Sequence, residues 1–246
     1  MMLRMLLVAA ALLLLALPAL AQSVAIDMGG NAGQPGNTSR LVQLTALIGM
    51  LSLAPSLLVM GTAFARIVIV LGLLRSAIGA PSIPPNPVLI GLALFLTFFV
   101  MQPVFEQSWN EGLLPMSEGR LAELPGIQAA AEPFRRFMAT HVREADLALF
   151  LELGNLPTPE ANAPAPWRAL VPAFMVSELK RAFEIGFLIF LPFLVIDMVV
   201  ASILMSLGMM MLPPSVVALP FKLVFFVIVD GWRLLAGSLV QGFSTG

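Results

Sequence analysis

Hydrophobic residues in this chain fall in long uninterrupted runs, and polar residues gather between them. Leu41 to Ala65 carries no charge; Arg66 and Arg75 follow, and Ser76 to Phe105 is uncharged again. Runs of this kind reach or exceed the roughly 20 residues that a helix needs to cross a bilayer. Pro81-Ser82-Ile83-Pro84-Pro85-Asn86-Pro87 interrupts the second run. Proline fixes φ and removes donors, so this stretch is a rigid connector and Val88 to Phe105 reads as the second span. Hydrophobicity returns after Trp167. Ile185 to Ile196 is uncharged, Asp197 interrupts, Met198 to Phe221 is uncharged, and Lys222, Asp230 and Arg233 punctuate the last segment. The pair divides near Gly208 to Pro214. The pattern predicts an all-α integral membrane protein: two long helical hairpins, over 44–105 and 171–246, flanking a polar helical region over 106–170.

That middle region differs in kind. Glu106 to Arg168 holds nine of the fourteen acids and five of the thirteen bases, with Pro157-Thr158-Pro159 and Pro164-Ala165-Pro166 near its end. Within it, Phe134, Phe137, Met138, Leu147, Phe150 and Leu151 recur at three- and four-residue steps, which predicts an amphipathic helix over about Ile127 to Leu153.

At the other end, Arg4 precedes the apolar Met5 to Leu17, and Pro18 and Ala19-Leu20-Ala21 follow. A thin positive charge, a short apolar core and a small-x-small site make a cleaved signal peptide over 1–21, and the polar 22–43 a flexible periplasmic N-terminus. The first span then runs inward, with Arg66 and Arg75 at its cytoplasmic end and the acid-rich region outside, as the excess of Lys and Arg on the inner side requires. The turn at Met209 faces inward in this scheme.

Composition sharpens the class. Hydrophobic residues make up 59% of the 246 positions and charged residues 11%, against about 25% in soluble proteins. The mean hydropathy is +0.96. A net charge of −1 supplies no basic field for nucleic acid. Without cysteine and with a single histidine, disulfides, thiol catalysis and ordinary zinc sites fall away together, so no cofactor is expected. No Gly-x-x-x-x-Gly-Lys-Ser/Thr loop is present to hold nucleotide phosphates. His141 reads as a solvent-facing helix residue.

Ionisable groups inside apolar segments are costly and therefore informative. Glu178, Lys180, Arg181, Glu184, Asp197, Lys222, Asp230 and Arg233 balance to zero charge. In an antiparallel hairpin centred on Met209, Asp197 lies level with Lys222, and Glu184 with Arg233. These are the expected intramembrane charge pairs, within a protomer or between neighbours; the other reading is that the charges line water. Asp197 and Asp230 also raise an intramembrane aspartyl protease, which needs two carboxylates sharing a proton. Each has basic neighbours, and Asp230 lacks a Gly-x-Gly-Asp setting. An oligomeric small-solute transporter would use such charges and the helix-breaking Pro55 and Pro192.

Met209-Met210-Met211 stands between Gly208 and Leu212-Pro213-Pro214. Methionine is flexible and polarisable and fills irregular gaps. On a bend, three in a row are either apolar filler or, repeated around a ring of copies, a constriction that excludes water and ions.

Met175-Val176-Ser177-Glu178-Leu179-Lys180-Arg181-Ala182-Phe183-Glu184-Ile185-Gly186 resembles the signature of the FliP family of flagellar-type (type III) export-gate proteins. The resemblance continues through Leu191-Pro192-Phe193-Leu194-Val195-Ile196-Asp197-Met198, the methionine turn, Pro220-Phe221-Lys222-Leu223 and Val229-Asp230-Gly231-Trp232. Arg66-Ile67-Val68-Ile69-Val70-Leu71 and Pro84-Pro85-Asn86 fit as well. It implies a homo-oligomeric ring, or helical cone raised largely above the membrane plane, built with FliQ-family and FliR-family subunits. Its place would be the inner membrane and the flagellar basal body. The ring would work beside FlhA- and FlhB-family components and pass unfolded flagellar substrate proteins. The resemblance further implies that Met209, Met210 and Met211 form the gasket of the resting pore, and that Phe137, Phe150, Glu178 and Lys222 serve assembly. No enzymatic activity is implied. The cleavable signal favours the flagellar branch over the virulence injectisome.

Overall fold

The computed structural model describes residues 59–159, 163–209 and 211–244, with positions 45, 48, 49 and 52. The chain divides into two units, Met1–Ser52 and Leu53–Gly246. In the first, the described positions are helical, and the Ser52 hydroxyl donates to the Ile48 carbonyl at 2.8 Å. The expected leader over 1–21, the polar stretch 22–43, most of the first apolar run, and Met210 lie outside the described residues.

The second unit is built from helices, with no strand among the described residues. They are α1 (Phe64–Ile78), α2 (Asn86–Ser108), a π-helical turn (Trp109–Leu113), α3 (Leu114–Ser117), α4 (Glu123–His141), α5 (Glu144–Leu153), α6 (Trp167–Ser206), α7 (Pro214–Ile228) and α8 (Gly231–Ser244). Gly79 stops α1 with φ 83°, a left-handed conformation that glycine adopts without a Cβ penalty. The prolines after it bar helix until Asn86. Pro87 then sits in the first turn of α2, where a missing N–H leaves nothing unsatisfied.

Two stretches, Asn86–Ser117 and the forty residues of α6, are long and apolar enough to cross a membrane, and the bent pair α7–α8 makes a third if counted as one. Pro172 and Pro192 lie inside α6 without ending it. What ends it is the turn at Gly208, with φ 72°, followed by Pro213 and by Pro214 in the first turn of α7.

Two breaks depart from the sequence expectation. The amphipathic segment 127–153 is two helices, parted at Val142 and Arg143. Arg143 has no side-chain cap of its own; its N–H donates at 3.1 Å to the Ser177 hydroxyl of α6, and that hydroxyl donates to Asp146 at 2.6 Å. The start of α5 is therefore capped from another helix. The last apolar segment breaks too: Asp230 takes φ 52°, and α8 leaves α7 at 63°.

The core sits around α1. Ile67, Val70, Leu71 and Leu74 pack between Leu89, Ala93 and Met101 of α2, Ala182 and Phe193 of α6, Phe226 of α7, and Leu235, Leu239 and Phe243 of α8. A second cluster joins Met138 of α4 to Leu170 and Phe174 of α6. A third, Val200, Leu204 and Ala218, seats α7 against the far end of α6.

Candidate functional site

Arg66 stands at the start of α1, where an apolar core would ordinarily admit no charge. It is 1% exposed. Its Nε donates to Glu178 Oε2 at 2.8 Å, and Nη2 donates to Oε1 of the same carboxylate, a bidentate pair between α1 and α6. Nη1 donates to the Gly242 carbonyl at 3.2 Å, and the guanidinium lies 3.7 Å from the centroid of the Phe243 ring. Glu178 itself is fully buried. One cation thus ties α1, α6 and the last turn of α8, satisfying a carbonyl that a helix end leaves without an internal partner.

His141 closes the other side of this hub. It is buried, not solvent-facing as its sequence setting suggested. Nδ1 lies 2.8 Å from the Phe137 carbonyl and Nε2 3.2 Å from the Phe243 carbonyl. The rings of Phe137 and Phe243 pack against it, with the Phe137 and His141 centroids 4.4 Å apart, and Phe174 packs edge-on against Phe137. Phe137 is thereby part of the protomer's own packing, whereas Phe150 stands half-buried on α5.

The structure brings Asp197 and Lys222 together. Lys222, 5% exposed, donates from Nζ to Asp197 Oδ2 at 2.6 Å and to the Ala77 carbonyl at 3.1 Å, so α6, α7 and the end of α1 meet at one ammonium. Asp197 Oδ1 is buried without a hydrogen-bond partner. Glu184 and Arg233 are not brought together, which corrects that expectation for the protomer. The bend at Asp230 carries Arg233 out of register with α6. Arg233 instead lies 4.0 Å from Asp230, and Glu184 lies 3.8 Å from Lys180. Asp197 and Asp230 each face a cation, and no hydrogen bond joins the two carboxylates, so a shared-proton dyad is not formed.

Sequence reasoning set Arg66 at the cytoplasmic end of the first span and gave it no partner. The signal was present: an arginine opening an apolar helical stretch needs a buried partner, and Glu178 had been left without one. Beyond the charges, Met209 and Met211 project from the turn between α6 and α7, 44% and 98% exposed.

Apolar faces turned outward, on stretches long and apolar enough to cross a membrane, define a membrane-associated helical protein. The FliP family model matches residues 47–239, and the chain belongs to that family. The flagellar biosynthetic protein FliP of Caulobacter vibrioides is 59% identical over 230 residues, spanning 93% of this chain and 85% of the relative. Those of Pectobacterium carotovorum subsp. carotovorum and Bacillus subtilis are 53% and 50% identical over 213 residues, each spanning 87% of this chain and 82% and 96% of the relative. Family membership carries with it a role in flagellar export, a protein-transport process of the type III secretion kind.

Proposed function

We propose that the chain is a pore-forming core subunit of the flagellar type III protein export gate. Copies of it form a ring or cone with FliQ-family and FliR-family subunits in the inner membrane, within the basal body and beside FlhA- and FlhB-family components. Unfolded flagellar subunits pass through the ring, and the turn at Met209 to Met211 seals it at rest. The chain does no chemistry of its own. The observation that carries this reading is the outward apolar surface. Phe95, Phe98 and Phe99 on α2, Phe187 and Leu188 on α6, and Val227 on α7 are all exposed, in a protomer that already pairs Arg66 with Glu178 and Lys222 with Asp197. Contiguous apolar surface of that kind calls for lipid or neighbouring subunits. Glu184 and Arg233, exposed and apart within the protomer, are then available to pair between copies.

The test is deletion of the gene in its host. Loss of filaments and of exported hook and filament subunits, restored by the intact gene, is the expected result. Motile cells that fail only to secrete effectors would assign the chain to an injectisome. Cells normal in both would overturn the proposal.

A further inference from the structure

Two helices end on one imidazole. His141 stands in the last turn of α4, and its Nδ1 lies 2.8 Å from the Phe137 carbonyl one turn back. Its Nε2 lies 3.2 Å from the Phe243 carbonyl, at the end of α8, where a helix leaves its carbonyls without internal partners. Each nitrogen therefore faces an oxygen that can only accept. A neutral imidazole has one N–H, so in either tautomer its bare nitrogen meets an oxygen, whereas the imidazolium donates to both. The ring is 4% exposed, and burial by itself disfavours a charge. Against that stand two acceptors, the negative ends of two helix dipoles, and the Phe137 and Phe243 rings, whose centroids lie 4.4 and 5.3 Å from the imidazole centroid.

We propose that His141 is a proton-operated latch: as the imidazolium it holds the end of α8 against α4, and as the neutral ring it lets that end loosen. The device goes beyond the proposed export role and does not depend on a ring of copies. Charged side chains reach its surroundings from three other elements. Arg66 of α1 pairs with Glu178 of α6, and at the start of α5 Arg143 pairs with Asp146 at 3.5 Å. The end of α8, residues 235–244, carries no ionisable side chain. The acids and bases around the ring thus match, and the proton on the ring is the variable charge. Arg66 is the fixed half of the attachment, since its guanidinium stays charged and donates to the neighbouring Gly242 carbonyl. The end of α8 hangs on two cations, one permanent and one of the kind that ordinarily comes and goes between about pH 5 and 8. A docked state that binds the proton better than the loosened one is favoured in acid and loses that advantage as pH rises.

The experiment uses the whole chain, purified without a histidine tag, because its single histidine then gives one pair of imidazole nitrogen signals by isotope-selective NMR. Hydrogen exchange over residues 235–244, corrected for the intrinsic rate, is read by mass spectrometry on the same samples at about pH 5 and pH 8, the two sides of the imidazole range. At the lower pH both ring nitrogens are expected to carry protons. At the higher pH one is expected to be bare, and protection of the end of α8 to fall several-fold. His141→Gln keeps a neutral donor and cannot charge, so its protection should change little between the two. A ring with a single proton at the lower pH would overturn the proposal, as would equal protection of wild-type α8 at both. An equal fall in His141→Gln would assign the effect to another group and overturn it too. The wild-type readings decide alone if the variant does not fold.

Discussion

Arg66 concentrates the energetics of the protomer. A guanidinium and a carboxylate taken out of water lose several kcal/mol of hydration each, and only mutual pairing and further hydrogen bonds offset the loss. The hub supplies both, through Glu178, the Gly242 carbonyl and the Phe243 ring. Removing one partner strands the other. Arg66→Met or Glu178→Leu alone is expected to cost about 3–5 kcal/mol, and the double variant to recover much of it. Thermal unfolding of the detergent-purified chain measures both. At the second pair, Asp197→Ala and Lys222→Ala are expected to couple by about 0.5–3 kcal/mol, as contacting residues do. Purely additive effects on assembly would count against the pair. This pair was legible because a turn marked by Gly208 and two prolines fixes which positions lie level. The hub was legible only as two charges in want of partners: Arg66 reaches 112 residues to Glu178, and His141 reaches 102 to Phe243, and no local periodicity links such positions.

Among the elements, the helix ends that glycine and proline dictate could be read in advance, at Gly79, Pro81 to Pro87 and Gly208 to Pro214. The breaks at Arg143 and Asp230 could not, because tertiary contacts set them. The cap of α5 comes from Ser177, 34 residues away. Close approach between elements is similarly silent in sequence. A Cβ on Gly112 would fall inside the van der Waals envelope of the Ala130 backbone, where the π-helical turn meets α4. Gly72, inside α1, has open space around the same position. Gly112→Ala is therefore expected to force the turn and α4 apart and lower the melting temperature. Gly72→Ala should be neutral or add about 0.5–1 kcal/mol, the usual gain from removing glycine inside a helix. Circular dichroism melts of the two variants make the comparison.

For the molecule as a whole, the length of α6 sets a limit. Forty residues at about 1.5 Å each give about 60 Å, twice the roughly 30 Å of a bilayer core. Its first part, with Glu178, Lys180, Arg181 and Glu184, packs against α1, α4 and α5. Residues 185–206 carry the single charge Asp197 and span about 33 Å, so this part suits lipid or the faces of neighbouring helices. The chain has no cysteine, so introduced thiols report without background. Lys180→Cys is expected to react with a membrane-impermeant maleimide in intact complexes, and Val195→Cys and Ile203→Cys to be shielded. Equal labelling at all three would contradict this division.

The hub also has a history in time. The ribosome makes Arg66 first, Glu178 well afterwards, and Gly242 176 residues later. At about 5–20 residues per second, the arginine waits on the order of 10–30 s for its last partner. Until Glu178 is made the nascent chain carries an uncompensated cation in an apolar helix, and the hub completes itself only as α8 arrives. A product halted before Gly242 would lack the Gly242 carbonyl and the Phe243 ring that cover the buried guanidinium, a mark that quality-control proteases can read. Pulse-chase of chains stopped at Ser238 should accordingly show faster turnover than chains that reach Ser244.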